Sequence, residues 1–129
     1  MPLTVAVLTE QAEGERRVAL DPANAKKLVA KGFRVVRFDN RDVGLSTHLD
    51  GHAVDLPAVL AASVGKGEMP PVPYTLSAFS DDAFGLLDHL GIDAAHLMGM
   101  SMGGMIVQTM AVEHPERVLS MTSVKSTTG

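Results

Sequence analysis

The 129-residue sequence contains no cysteine. That excludes disulfide staples and thiolate metal sites. It also lacks any apolar run approaching the ~18 residues that a membrane-spanning helix needs. No basic segment followed by a long apolar core opens it, so no secretory leader is read and the expected location is cytoplasmic. Positive charge is in deficit: 11 Lys and Arg face 15 Asp and Glu, a formal net charge of −4, which argues against a nucleic-acid partner. Aromatic residues make up only 4%, and eight methionines fill space in their stead with flexible side chains that specify packing loosely. No Gly-x-Gly-x-x-Gly follows a strand-like run, so there is no dinucleotide fingerprint, and no cofactor is expected. No His, Asp and Glu set has metal-ligand spacing, so no metal is expected either. Internal repeats and low-complexity segments are absent too. What is present suits one folded domain over residues 1–129, with 46% hydrophobic and 20% charged residues.

The stretch with the most chemical content is His96-Leu97-Met98-Gly99-Met100-Ser101-Met102-Gly103-Gly104-Met105. An apolar run is followed by Gly-x-Ser-x-Gly, and then Met105, Ile106, Thr109, Met110 and Val112 fall at helical spacing. Gly-x-Ser-x-Gly between a strand and a helix forms a nucleophile elbow. So sharp a turn leaves no room for a bulky Cβ on either side, which is the reason for Gly99 and Gly103. The turn lifts the Ser101 hydroxyl above the sheet edge and makes it the candidate nucleophile. The Met102 N–H then points at where a carbonyl oxygen would turn negative, so it is the candidate oxyanion donor. The helix that follows adds its positive N-terminal end. The bland alternative is a Gly/Ser-rich turn that only lets a helix pack closely on a sheet.

Taken in order, residues 3–8 are a β-rich apolar run that fits a central parallel strand. Residues 9–17 read as a polar loop. Asp21 and Pro22 start a helix, as N-cap and first-turn proline, that runs to Lys31 with Leu28 and Val29 facing inward. Lys26, Lys27 and Lys31 lie near its C-terminal end and Gly32 stops it. Residues 33–38 are a second strand, and residues 39–51 a charged, Gly- and Ser-containing loop. Asp39, Arg41 and Asp42 are read there as a local turn with an ordering ion pair rather than as catalytic groups. A short helix over residues 54–62 and a Gly/Pro-rich loop over 65–73 follow. Thr75 or Ser77 caps the next helix, whose apolar stripe is Phe79, Ala83, Leu86, Leu87 and Leu90; Asp81 and Asp82 read as an N-terminal charge pair. Gly91 ends that helix, residues 95–98 form strand three, the elbow helix runs to about Glu113, and residues 118–124 form strand four. This alternation predicts an α/β fold, three layers about a mostly parallel four-stranded sheet with right-handed crossovers.

From Gly32 to Gly129 the sequence resembles the α/β-hydrolase family, in particular its methylesterase and enol-lactonase-like esterases. The matching residues are Arg37-Phe38-Asp39-Asn40-Arg41-Asp42-Val43-Gly44-Leu45-Ser46, Tyr74-Thr75-Leu76, Asp81-Asp82 through Leu90-Gly91-Ile92, the elbow, and His114-Pro115-Glu116-Arg117-Val118. The resemblance implies strand order 2-1-3-4, hydrolysis of a small-molecule ester or lactone through an acyl-Ser101 intermediate, and a loop over residues 9–17 beside Ser101. A second stretch, Gly14-Glu15-Arg16-Arg17-Val18-Ala19-Leu20-Asp21-Pro22 with Lys26-Lys27-Leu28, resembles the start of the alanine dehydrogenase and transhydrogenase α-subunit family. It spans about residues 1–36, so the chain reads as a fusion. Arg16 or Arg17 and Lys26 or Lys27 resemble positions near a carboxylate substrate in that family; a solvated basic loop and helix end is the simpler reading.

The hydrolase resemblance also shows what this sequence lacks. The family's order is Ser, then Asp or Glu, then His. After Ser101 only His114 is a histidine, and no aspartate follows, so the chain reads as C-terminally truncated with an incomplete triad. The family's Gly-rich oxyanion loop is absent, leaving the second donor without a candidate. His48, His52, His89, His96 and His114 are each read as solvated surface groups rather than as a replacement base. The expectation is little or no turnover by this chain alone. The competing readings are a non-catalytic folded chimera and an alanine dehydrogenase-like module. The absent strands would leave strand four as an open sheet edge, which invites self-association.

Overall fold

The computed structural model describes residues 4–9 and 20–127. The elements are β1 (Thr4–Thr9), α1 (Pro22–Ala30), β2 (Arg34–Asp39), α2 (Leu56–Ser63), α3 (Leu76–His89), β3 (Ala95–Met100), α4 (Met102–Glu113), a 3-10 turn (Pro115–Arg117) and β4 (Val118–Val124). The sheet order is β2-β1-β3-β4, and every pairing is parallel. This is the expected α/β architecture with order 2-1-3-4. β3 runs two residues further than its apolar run suggests. Gly99 and Met100 continue the ladder opposite Ser123 and Val124 and carry the strand right up to the elbow.

Successive strand residues point to opposite faces, and the core divides accordingly. Ala6 and Leu97 face α3 and α4, where they meet Phe79, Ala83, Leu87, Ile106, Val107 and Met110. Val5 and Met98 face the other way, toward Leu20, Ala25 and Leu28 of the α1 side. The step from β1 to β2 runs opposite to the steps toward β3 and β4. Right-handed crossovers therefore put α1 on one face and α3 and α4 on the other.

The helix ends follow their local chemistry. Asp21 accepts a hydrogen bond from the Asn24 N–H at 2.9 Å, and Pro22 occupies the first helical position. Gly32, at φ 89°, lets its own N–H reach Val29 O and the Phe33 N–H reach Leu28 O, which satisfies the last carbonyls of α1. Val29, expected inside, is 57% exposed. Ala25 and Leu28, three residues apart, are the contacts of this helix, and the 100° step beyond Leu28 turns Val29 to solvent.

Three further expectations for α3 need correction. Phe84 joins the buried stripe, while Leu86 and Leu90 are only half-buried. The helix packs on α4 as well as on the sheet, so its covered face is wider than the sheet alone requires. Thr75 stands at the N-cap but makes no capping hydrogen bond, and the Ser77 hydroxyl donates instead to Glu113 Oε1 at 2.6 Å. Asp81 and Asp82 lie beyond the first turn, where the helix end no longer favours them, and Asp82 pairs with Arg41. At the opposite end of the sheet, Arg117 donates to Asp88 and to the carbonyls of Ile92 and Asp93. That pins the entry to β4 against the end of α3. Among the described residues, no helix is long and apolar enough to cross a membrane.

Candidate active site

Ser101 lies between the last residue of β3 and the first residue of α4, with φ 56° and ψ −123°. An L-residue rarely holds a positive φ, and surrounding structure must enforce it. Here the Ser101 N–H donates to Val124 O at 2.9 Å, and Ser101 O accepts from the Met105 N–H at 3.2 Å. The chain then turns back tightly: a Cβ on Gly99 would lie 2.0 Å from Gly103 O. No side chain fits there. Ser101 is exposed and Gly103 buried. The Met102 N–H belongs to the first turn of α4, whose donors have no intrahelical acceptor. The positive end of the α4 dipole lies beside Ser101.

A second close approach escaped the sequence reading. A Cβ on Gly104 would lie 2.6 Å from Ser126 Oγ and 2.8 Å from Ser123 Oγ. The adjacent pair Gly103-Gly104 was the available signal, since the elbow motif alone calls for only the first of them.

Among the described residues, no side chain hydrogen-bonds the Ser101 hydroxyl. His114 caps the far end of the twelve-residue α4, roughly 18 Å along the helix at 1.5 Å per residue. Its ring lies edge-on to Phe84 at 4.8 Å and faces Glu116 at 3.5 Å. His48 contacts Gly44 O and His52 contacts Leu49 O, both within their own exposed loop. His89 is an exposed residue at the end of α3. His96 is not the solvated group expected. It sits near the start of β3, edge-on to Phe33 at 6.3 Å, with Nδ1 2.8 Å from Ser120 Oγ and Nε2 buried. Phe33, the residue just before β2, meets the ring from the same side.

The loop after β2 is bound more tightly than its sequence suggests. Asp39 accepts from the Leu45 N–H, and the Ser46 hydroxyl donates to Asp39 O. Asp42, at φ 62°, accepts from the Leu49 N–H and from the Tyr74 hydroxyl, each at 2.5 Å. Those two donors, Tyr74 first, hold the Asp42 carboxyl below its usual range, and Asp42 in turn pushes the Tyr74 phenol up. Arg41 grips both Asp82 oxygens at 2.6 and 2.7 Å and lies over the Tyr74 ring. Its hydrogen bond to Asp82 raises its already high pKa. The ordering ion pair expected of this loop therefore exists, but its acid comes from α3. A cavity of about 520 Å3 beside the loop is lined by Phe38, Asn40, Leu45 and Leu86 among others, and does not include Ser101.

Arg16, Arg17 and the loop expected beside Ser101 fall on residues 10–19, outside the described residues. Lys26 is exposed, and the Lys27 ammonium donates to Asn24 on the open side of α1. Among the described residues, no group of three or more His, Asp or Glu could hold a metal ion.

The sequence matches the alpha/beta hydrolase fold over residues 13–128. It is 34% identical over 97 residues to rhodomycin D methylesterase DnrP of Streptomyces peucetius, covering 75% of this chain and 26% of that protein. It is 42% identical over 53 residues to 3-oxoadipate enol-lactonase 2 of Acinetobacter baylyi, covering 41% of this chain and 20% of that protein. Its structure resembles the enol-lactonase from Burkholderia xenovorans LB400, with TM-score 0.60 and 26% identity over 97% of this chain and 38% of that one. The chain thus spans about a quarter of the length of the curated relatives it matches. With a parallel sheet in the expected order and a family match across most of its length, this chain belongs to the α/β-hydrolase fold family.

Proposed function

We propose that this chain carries the nucleophile of a serine hydrolase for carboxylic esters or lactones, with Ser101 attacking and the Met102 N–H as one oxyanion donor. The observation that carries this reading is the positive φ of Ser101 at the junction of β3 and α4. A Gly/Ser turn that only aids packing has no need to hold a serine in that conformation. In the reaction, Ser101 Oγ adds to the acyl carbon and gives up its proton to a base. The oxyanion collapses, the C–O bond to the alcohol breaks, and the alcohol leaves with a proton. Water then releases the acid from acyl-Ser101. The substrate class follows the relatives named above, a methylesterase and an enol-lactonase.

No described histidine is placed to take the Ser101 proton, so turnover by this chain alone is little or none. The same observation favours a second reading, a folded scaffold without catalysis. The transhydrogenase-like reading of residues 1–36, with NAD(H) or pyruvate binding through Arg16, ranks last, because the hydrolase match already begins at residue 13. A fluorophosphonate probe separates the first two. It transfers its phosphonyl group to an activated serine oxygen and loses fluoride. Labelling of the wild type but not of Ser101→Ala supports the nucleophile. An unlabelled wild type that unfolds cooperatively in the same sample favours the scaffold.

A further inference from the structure

Three polar side chains that no step of the proposed reaction uses converge under the first turn of α4. Gln108 Nε2 lies 2.9 Å from Ser123 Oγ and 2.9 Å from Ser126 Oγ. Ser123 Oγ lies 3.2 Å from Gly104 O, and the two serine hydroxyls are in contact. The two hydroxyl oxygens lie close together on the same side of Gln108 Nε2, so the amide donates toward both. Ser123 Oγ also lies within reach of the Gly104 carbonyl, to which its hydroxyl can donate.

We infer that Gln108, Ser123 and Ser126 form a clamp that positions the elbow by tying the end of β4 to the first turn of α4. The clamp reaches the nucleophile from two sides. Val124, between the two serines, accepts the Ser101 N–H at 2.9 Å. Gly104, whose carbonyl Ser123 holds, follows the Gly103 backbone that turns back against Gly99. Lys125, at φ 50°, makes the bend that returns Ser126 to the helix. The absent Cβ of Gly104 is the space the hydroxyls occupy, because any side chain there would overlap Ser126 Oγ. Gly104, Gln108, Ser123 and Ser126 thus have one common explanation: they hold Ser101 and the Met102 N–H in a fixed relation. They touch no reacting atom, so they are positioning residues. The effect on reactivity rests on the reading of Ser101 as the nucleophile, whereas the clamp itself does not.

The test uses the full chain with Ser126→Ala, Ser126→Thr and Gln108→Met, the last keeping volume while removing both donors. Two quantities are measured: the fluorophosphonate labelling rate, and amide hydrogen exchange. Ser126→Ala and Gln108→Met are expected to slow labelling by about tenfold, with Ser126→Thr, which keeps the hydroxyl, restoring it. Exchange at the Ser101 and Met105 amides is expected to speed up by about tenfold, on the scale of local opening, while amides at the far end of α4 keep their rates. A uniform rise along α4 would mean general loosening and would overturn the clamp. So would unchanged exchange at Ser101 and Met105. If the wild type does not label at all, the nucleophile reading fails, and the exchange pattern alone decides the clamp.

Discussion

Ser101 holds a backbone conformation that glycine would adopt at less cost, so the nucleophile role proposed for it runs against stability. Its φ of 56° is held by the hydrogen bond to Val124 O and by the turn that brings Gly103 back against Gly99. Strain of this kind is worth on the order of 1–3 kcal/mol. Ser101→Gly is therefore expected to raise the urea midpoint by a corresponding ~1 kcal/mol or more of stability, while abolishing fluorophosphonate labelling. A midpoint at or below that of the wild type would show that the elbow is not strained. Gly99 allows no such exchange, since a methyl group there would run into the Gly103 carbonyl.

At the scale of elements, the loop after β2 is joined to α3 by charge. Arg41 reaches Asp82, and Asp42 reaches Tyr74 just before the helix. The Asp42 carboxyl is depressed in the folded chain, first by the Tyr74 hydroxyl. Glu113 on α4 is depressed as well, first by Ser77 at the start of α3. A depressed carboxylate contributes stability above its unfolded pKa, near 3.9 for Asp and 4.3 for Glu, and loses it as pH falls through the lower folded value. Acid below about pH 4 should therefore loosen both the loop and the tie between α3 and α4. Tyr74→Phe removes the largest cause acting on Asp42 and should flatten the fall of Tm below that pH. An acid limb identical to the wild type would contradict this account. The partners were not legible in the sequence, because Arg41 and Asp82 are 41 residues apart and only the packing of α3 joins them.

For the whole molecule, the sheet leaves β4 with a neighbour on one side only among the described residues. Its residues Val118-Leu119-Ser120-Met121-Thr122-Ser123-Val124 carry no charge, and Leu119 and Met121 are 50% and 42% exposed. Natural edge strands commonly use charge, proline or a bulge to discourage pairing with another chain. β4 has no such charge or proline, and its one bulge-like irregularity lies at its very start, opposite Ala95 and His96. The purified chain is expected to self-associate with rising concentration, and Met121→Lys to reduce this in sedimentation or light scattering. Equal association by both would place the contact elsewhere.

The sequence by itself determined the features that act over a few residues. Apolar periodicity marked the strands and helices, Asp21 and Gly32 marked the ends of α1, and the glycine-flanked serine marked the sharp turn between β3 and α4. The order of the strands came with the family resemblance, not with periodicity. Only the tertiary structure decided which groups face one another: Val29 turned outward and Phe84 inward, Ser77 bound to Glu113 instead of capping its helix, His96 set edge-on to Phe33, and two serines set against Gly104. A repeating pattern shows which side of an element is apolar. What lies opposite depends on how distant elements cross, and no short stretch of chain encodes that.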